Sequence, residues 1–87
     1  MAQVWLPGSL VALFPGAPRR LTVAGSTVGE VVEALDAQVP GLADRVITAG
    51  PSIREHINVF VDGERAELDS PVAADATVHI IPAVSGG

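Results

Sequence analysis

The carboxyl end of the chain carries the residues most suited to chemistry. It reads Ile81-Pro82-Ala83-Val84-Ser85-Gly86-Gly87. Glycines lack β-carbons, so such a tail can pass through a narrow tunnel and adopt φ values closed to other residues. The terminal carboxylate of Gly87 is ionised at neutral pH and is a poor electrophile. If it attacks the α-phosphate of ATP it becomes an acyl-adenylate, and a sulfur donor would then convert it to a thiocarboxylate.

Other candidate groups in the sequence are weaker. His56 and His79 have no carboxylate or second histidine at metal-like spacing, so we expect no metal site. Ser85 lies near the terminus, but no Ser-His-Asp arrangement follows from the sequence, and we interpret it as a small residue of the tail. The chain has no cysteine, which excludes disulfides, thiolate catalysis and cysteine-ligated metal centres.

Length and composition bound the class of protein. The 87 residues, 48% of them hydrophobic, predict one domain over residues 1–87, of which 83–87 form a flexible diglycine tail. The net charge is −5, and the five basic residues are arginines scattered along the sequence. Nucleic acid is therefore not an expected partner, and such an acidic protein would suit a basic groove on another protein.

Hydropathy gives the expected compartment. No apolar run is long enough to span a bilayer. The apolar start lacks a preceding basic residue and is interrupted by Pro7-Gly8, which argues against a secretory signal. We expect a cytoplasmic protein with no membrane partner.

One helix is strongly predicted after residue 26. Thr27 and Glu30 have the capping-box spacing, in which a hydroxyl and a carboxylate satisfy free N–H groups of the first turn. A single apolar stripe follows at Val28, Val31, Val32, Leu35 and Val39. Pro40-Gly41 ends the helix.

Strand patterns flank this helix. Residues 4–6 and 20–23 predict a first hairpin with a wide connection rich in proline and glycine. Residues 57–61 and 64–68 flank Asp62-Gly63, the pair typical of a type I′ turn, and residues 77–81 form a last strand. The order predicts an α+β β-grasp fold, a mixed four- to five-stranded sheet with one main helix packed on one face.

Alternation along the strands predicts a second surface of interest. Phe60, His79 and Ile81 fall on the sheet face opposite the helix, where an apolar patch would dock a partner. The alternative is that the N-terminal loop covers them. Trp5 is interpreted as a core or loop-packing residue.

The two C-terminal motifs resemble a known family. The hairpin Ile57-Asn58-Val59-Phe60-Val61-Asp62-Gly63-Glu64 and the ending Pro82-Ala83-Val84-Ser85-Gly86-Gly87 are similar to those of the MoaD/ThiS sulfur-carrier proteins. The Pro-Ala-Val form and the long segment before Ile57 are most similar to the carriers of the thiocarboxylate-dependent cysteine pathway of actinobacteria.

The resemblance implies a carrier that is not itself an enzyme. Gly87, preceded by Gly86, would be adenylated and sulfurated by an E1-like adenylyltransferase and sulfurtransferase that uses ATP. The thiocarboxylate would then donate sulfur to a downstream synthase making cysteine, a cofactor or a secondary metabolite. Pro82, Ala83, Val84 and Ser85 would contact these partners together with the open-face residues. No bound cofactor is implied, and a protease that trims or releases the tail is a further candidate partner.

Three alternatives stay open at this point. The chain could be the small subunit of molybdopterin synthase, in a stable complex. It could be a ubiquitin-like modifier joined through Gly87 to protein lysines. It could also be a plain β-grasp binding module with an incidental tail, in which case loss of Gly86-Gly87 would leave its activity unaffected.

Overall fold

The computed structural model describes residues 1–82. Its strands are β1 (Ala2–Trp5), β2 (Arg20–Val23), β3 (Ile47–Thr48), β4 (Ser52–Ile53), β5 (Ile57–Val61), β6 (Glu64–Ala66) and β7 (Thr77–Pro82), and its helices are α1 (Gly8–Val11), α2 (Val28–Gln38) and α3 (Leu42–Val46). Five strands form one sheet in the order β2-β1-β7-β5-β6. This mixed sheet, packed against one main helix, confirms the predicted β-grasp fold.

Strand β7 lies at the centre of the sheet. It pairs in parallel with β1, where Val4 is opposite Val78, and antiparallel with β5, where Val59 is opposite Ile80. The first and last strands of the chain are therefore neighbours. In sequence, residues 83–87 follow directly after this central strand.

The start of α2 follows the predicted cap with one shift. The backbone N–H of Glu30 donates to the Thr27 hydroxyl at 3.2 Å, as expected. The Glu30 carboxylate reaches back one residue further than the standard capping box and accepts from the backbone N–H and the hydroxyl of Ser26, both at 2.9 Å. These hydrogen bonds lower the pKa of the Glu30 carboxyl because they favour its charged form, and the bond from the Ser26 backbone has the larger effect.

The core lies between α2 and one face of the sheet. The predicted helix stripe is buried, with Val28, Val31, Val32 and Leu35 almost fully inaccessible and Val39 closing its end. The inward strand positions meet it with a set of mainly branched side chains, namely Ala2, Val4, Leu21, Val23, Val59, Ala66, Val78 and Ile80. Strand alternation and helix periodicity therefore bury complementary surfaces.

The second hairpin has the predicted turn. Asp62 and Gly63 both have positive φ, 50° and 86°, as a type I′ turn requires. The Asp62 carboxylate also accepts the N–H of Thr77 at 2.9 Å, and the Asp62 N–H donates to the Thr77 carbonyl at 2.8 Å. The turn thus holds the start of β7 as well as joining β5 to β6.

Three features of the fold differ from the sequence-based expectation. The connection between β1 and β2 contains α1, whose Leu10 is buried in the core. The region after α2, for which the sequence suggests only a short helical turn at residues 43–47, forms α3 at that place and then the two-stranded β3–β4 hairpin. β6 ends at Ala66, before the predicted residue 68. Short elements of this kind depend on tertiary packing more than on periodicity.

Within the described part of the chain, no helix has both the length and the apolar character needed to cross a bilayer.

The buried helix stripe gives a stability prediction. Leu35→Ala is expected to lower the free energy of unfolding by about 2 to 5 kcal/mol, because it removes buried methyl groups and leaves a cavity. Chemical denaturation measures the change. The control is Glu33→Ala on the exposed side of α2, which should change stability by less than about 0.5 kcal/mol. A loss under about 1 kcal/mol for Leu35→Ala would show that α2 does not pack as described.

Candidate functional site

The predicted reacting group lies just past the described residues. The predicted flexible tail lies outside residues 1–82. It includes the predicted reacting residues Gly86 and Gly87 and the predicted partner-binding residues Ala83, Val84 and Ser85. Pro82 is the last residue of β7, is exposed and pairs with Ile57. The structure therefore fixes the point from which the tail starts, the end of the central strand.

The three predicted docking residues lie on one face of the sheet. Phe60 is opposite His79 in the β5–β7 ladder, and Ile81 is two residues beyond His79 on the same face. His79 and Ile81 are exposed, Ile81 by 42%, and Phe60 is half-buried. The placement predicted from alternation is confirmed, and the binding role of these residues stays a prediction.

Trp5 corrects the sequence-based interpretation. It was expected in the core or under a loop, but it is 39% exposed on the same face as His79. The Trp5 and His79 rings are stacked, with centroids 6.2 Å apart and planes inclined by 7°. The guanidinium carbon of Arg20 lies 5.4 Å from the centroid of the Trp5 ring, a cation–π distance.

The register extends this cluster across the whole sheet. Arg20 pairs with Trp5, Trp5 with His79, His79 with Phe60, and Phe60 with Arg65. One residue from each of the five strands thus forms what we call the cross-sheet row. Sequence reasoning found its two members on β5 and β7 and missed Trp5, Arg20 and Arg65. The signal that was available is the parallel pairing of first and last strands in a β-grasp sheet, which brings β1 beside β7.

The N-terminal loop does not cover this face. Its Phe14 would lie 3.2 Å from a β-carbon placed on Gly41, beyond the end of α2. Residues 13–18 line a groove together with Leu21 and residues 38–40. Leu21 belongs to the core side of β2, so the loop packs on the helix side of the sheet. The alternative in which the loop shields the docking residues is therefore wrong.

The described residues hold no cluster of ionisable ligands. Within residues 1–82, no three His, Asp or Glu side chains are grouped as a metal site would require. His56 lies in the exposed turn before β5, and His79 is engaged with the Trp5 ring.

In comparisons with known proteins, this chain is similar to small proteins named as sulfur carriers or modifiers. The model of the ThiS family matches residues 12–87. Small archaeal modifier protein 1 of Haloferax volcanii is 39% identical over 69 residues, covering 78% of this chain and 79% of that protein. The sulfur carrier protein CysO of Mycobacterium tuberculosis is 28% identical over 78 residues, covering 83% of this chain and 84% of CysO. A chain in the crystal structure of the Amycolatopsis orientalis BexX/CysO complex superposes with a TM-score of 0.87 at 25% identity, covering 100% of both chains.

Trp5 is the single tryptophan, so its fluorescence tests the open face directly. We expect the emission of a partly solvated indole that acrylamide quenches readily in the folded protein, because the ring is exposed on one side. His79→Ala should increase quenching by removing the stacked ring, whereas His56→Ala, the control at the other histidine, should not. Blue-shifted emission that resists acrylamide would mean that this face is covered.

Proposed function

Because the chain belongs to the ThiS family, we propose that it is a sulfur carrier whose Gly87 carboxylate is adenylated by an E1-like enzyme and converted to a thiocarboxylate. The observation that carries the proposal is the match of the family model through to the terminal diglycine, which follows the central strand β7 by a few residues in sequence. Its relatives include small carrier and modifier proteins, and in this proposal the chain is the co-substrate of enzymes and not an enzyme itself.

The proposed chemistry has two steps. A carboxylate oxygen of Gly87 attacks the α-phosphorus of ATP and pyrophosphate leaves, which gives an acyl-adenylate. Sulfur at the oxidation level of sulfide, supplied as HS⁻ with the partner, attacks the activated carbonyl carbon and AMP leaves, which gives the thiocarboxylate. The carrier contributes the carboxylate and its delivery. ATP is bound by the partner.

The geometry supports simultaneous docking and delivery. His79 and Ile81 belong to the strand that ends at Pro82, so the open face and the start of the tail are parts of one rigid element. The five residues after Pro82 can extend at most about 16 to 18 Å. A partner that holds the open face would therefore need its reaction site within about that distance of the end of β7.

A second partner would accept the sulfur. CysO of Amycolatopsis orientalis forms a complex with BexX. By analogy, we propose that the present chain, once sulfurated, docks on a synthase that takes the sulfur into a small molecule. Tail residues Pro82, Ala83, Val84 and Ser85 are the proposed contacts that accompany Gly86 and Gly87 into both partners. A protease that trims or releases the tail is the third proposed partner.

A second candidate function is favoured by one specific comparison. The 39% identity is to a small archaeal modifier protein. In that role the same activated Gly87 would be joined to lysines of other proteins. Conjugates of high mass in a lysate of the source organism, carrying the Gly87 carbonyl on a lysine, would distinguish modifier from carrier. Both functions share the activation step.

The tail gives the sharpest prediction for this proposal. With ATP, the E1-like enzyme of the source genome and a sulfur donor, the intact chain should gain about 16 Da, the exchange of one oxygen for one sulfur. Deletion of Gly87 moves the carboxylate back by about 3.5 Å. Since a misplacement of about 1 Å can cost around a hundredfold in rate, the deletion should abolish the gain. Intact-protein mass spectrometry measures both.

A second tail variant and a stability measurement serve as controls for this experiment. Appending one residue after Gly87 should also block the gain unless a protease trims it. Neither variant touches the core, so thermal melting should be unchanged. Equal sulfuration of the shortened chain, or no mass gain by the intact chain with any related activating enzyme, would refute the proposed function.

The open face gives a separate prediction. Phe60→Ala is expected to lower kcat/KM for adenylation by at least about tenfold, as for a central interface residue, while the melting temperature changes little. The matched control is Leu13→Ala, which removes an equally apolar side chain that is 52% exposed but lies on the loop at the helix side. If Phe60→Ala and Leu13→Ala have the same kinetics, the docking surface is elsewhere.

A further inference from the structure

The open face differs in charge from the rest of the molecule. The outward positions of the five strands are Gln3, Trp5, Arg20, Thr22, Asn58, Phe60, Arg65, Thr77, His79 and Ile81. Among these described positions there is no Asp or Glu, although the chain has ten acidic residues and a net charge of −5. Asp62, at the adjoining turn, has its carboxylate bound to the Thr77 N–H. At its strand positions the sheet face therefore carries two arginines and no carboxylate, and the acidic residues Glu55 and Glu67 line the groove beside Arg65 at its edge.

The two arginines of this face stand at opposite ends of the cross-sheet row. Arg20 is on edge strand β2 and Arg65 is on edge strand β6, with Trp5, His79 and Phe60 between them. Four interstrand spacings of about 4.8 Å place the two arginine backbones about 19 Å apart. The row is thus a strip of three rings with a guanidinium group at each end.

We propose that the cross-sheet row docks on a surface of the activating enzyme that has an apolar centre and carboxylates positioned for Arg20 and Arg65. This inference rests on the proposed function for the identity of the partner. Arginine suits the role because its planar fork binds a carboxylate through two parallel hydrogen bonds. Tryptophan and arginine are also the residue types enriched at the energetic centres of interfaces.

The charge distribution explains how the carrier would orient. A molecule with net charge −5 is repelled by an acidic surface in most orientations, but the open face is attracted to it. The field of such a partner would therefore turn the face towards it during encounter, which is an effect mainly on the association rate. The sequence alone suggested a basic groove on the partner, and the placement of the arginines reverses that expectation for this face.

A single-stranded nucleic acid is the competing occupant of such a face. Aromatic rings on a sheet, next to arginines, can stack bases. Binding of phosphates, however, needs a surrounding positive field, and the net charge of −5 opposes it. The acidic protein surface is therefore the better match, and an oligonucleotide is an arm of the test.

Charge reversal at each end of the row tests the proposal. Arg20→Glu and Arg65→Glu are compared with Arg45→Glu, which makes the same change in net charge on α3, outside the cross-sheet row. Affinity for the activating enzyme is measured by calorimetry without ATP, at about 50 mM and about 300 mM salt. Each face variant should bind about tenfold more weakly at low salt and show a smaller salt dependence than the unaltered chain. Arg45→Glu should stay within about twofold of it.

Several outcomes would overturn the proposal. Unchanged affinity of both face variants would show that the two arginines do not bind the partner. An equal loss of affinity for Arg45→Glu would show that net charge and not the row governs binding. Micromolar binding of a short single-stranded oligothymidylate that Trp5→Ala abolishes would assign the face to nucleic acid instead. Thermal melting of every variant confirms that the fold is kept.

The same experiment separates this proposal from the proposed function. Because binding is measured without ATP, an intact chain that docks through both arginines yet gains no mass with ATP and a sulfur donor would support the row and refute the carrier function. If the intact chain is sulfurated but its face variants bind normally, the carrier function is supported and the role of the row is refuted.

Discussion

The pairing of β7 between β1 and β5 is the constraint on which the rest of the structure depends. β7 pairs with β5 up to Pro82, and its first half, residues 77–79, also pairs with β1, so that half has no free edge. Its two flanking strands come from opposite parts of the sequence, one at the start of the chain and one after the helices. The parallel β1–β7 ladder therefore joins the first and last strands of the chain. It also fixes the position of the strand that precedes the C-terminal tail.

The period of two along a strand divides the side chains of β7 between the core and the open face. Val78 and Ile80 point to the helix and are almost fully buried, while His79 and Ile81 point to solvent. A slip of one residue in register would exchange the two sets. The same ladder that specifies the core therefore specifies the open face. The Asp62 turn, which binds both the N–H and the C=O of Thr77, helps to fix that register.

The family relationship and the geometry both fit our proposal of a small protein that binds protein partners. The relatives are named as a sulfur carrier and as a small modifier, two roles in which one small protein meets other proteins. In our proposal, a rigid sheet face next to a terminal segment suits such meetings, with the face for recognition and the terminus as the reacting group. In the described residues the ionisable groups form no metal cluster, so the reactivity in our proposal belongs to the tail and to the partner. The two arginines of the open face add a discriminating feature, since they give an acidic protein one orientation in which it can approach carboxylates.

The sequence by itself determined the elements that carry strong local signals. The α2 stripe from Val28 to Val39, the Thr27 cap and the Asp62-Gly63 turn follow from spacing and backbone preference, because the atoms that enforce them are a few residues apart. The alternation that puts His79 outward is equally local. The family resemblance of the diglycine ending also came from the sequence.

Only the tertiary structure decided which residues stand beside one another on the open face. Trp5 was misplaced because a short apolar run next to Pro7-Gly8 carries no information about which side of a sheet it will face until its partner strands are known. Arg20 and Arg65 are 45 residues apart in sequence and become the two ends of one row through four strand pairings. Arginines that are scattered along the chain thus share a face because non-local hydrogen-bond ladders, and not local propensity, set which side chains are neighbours.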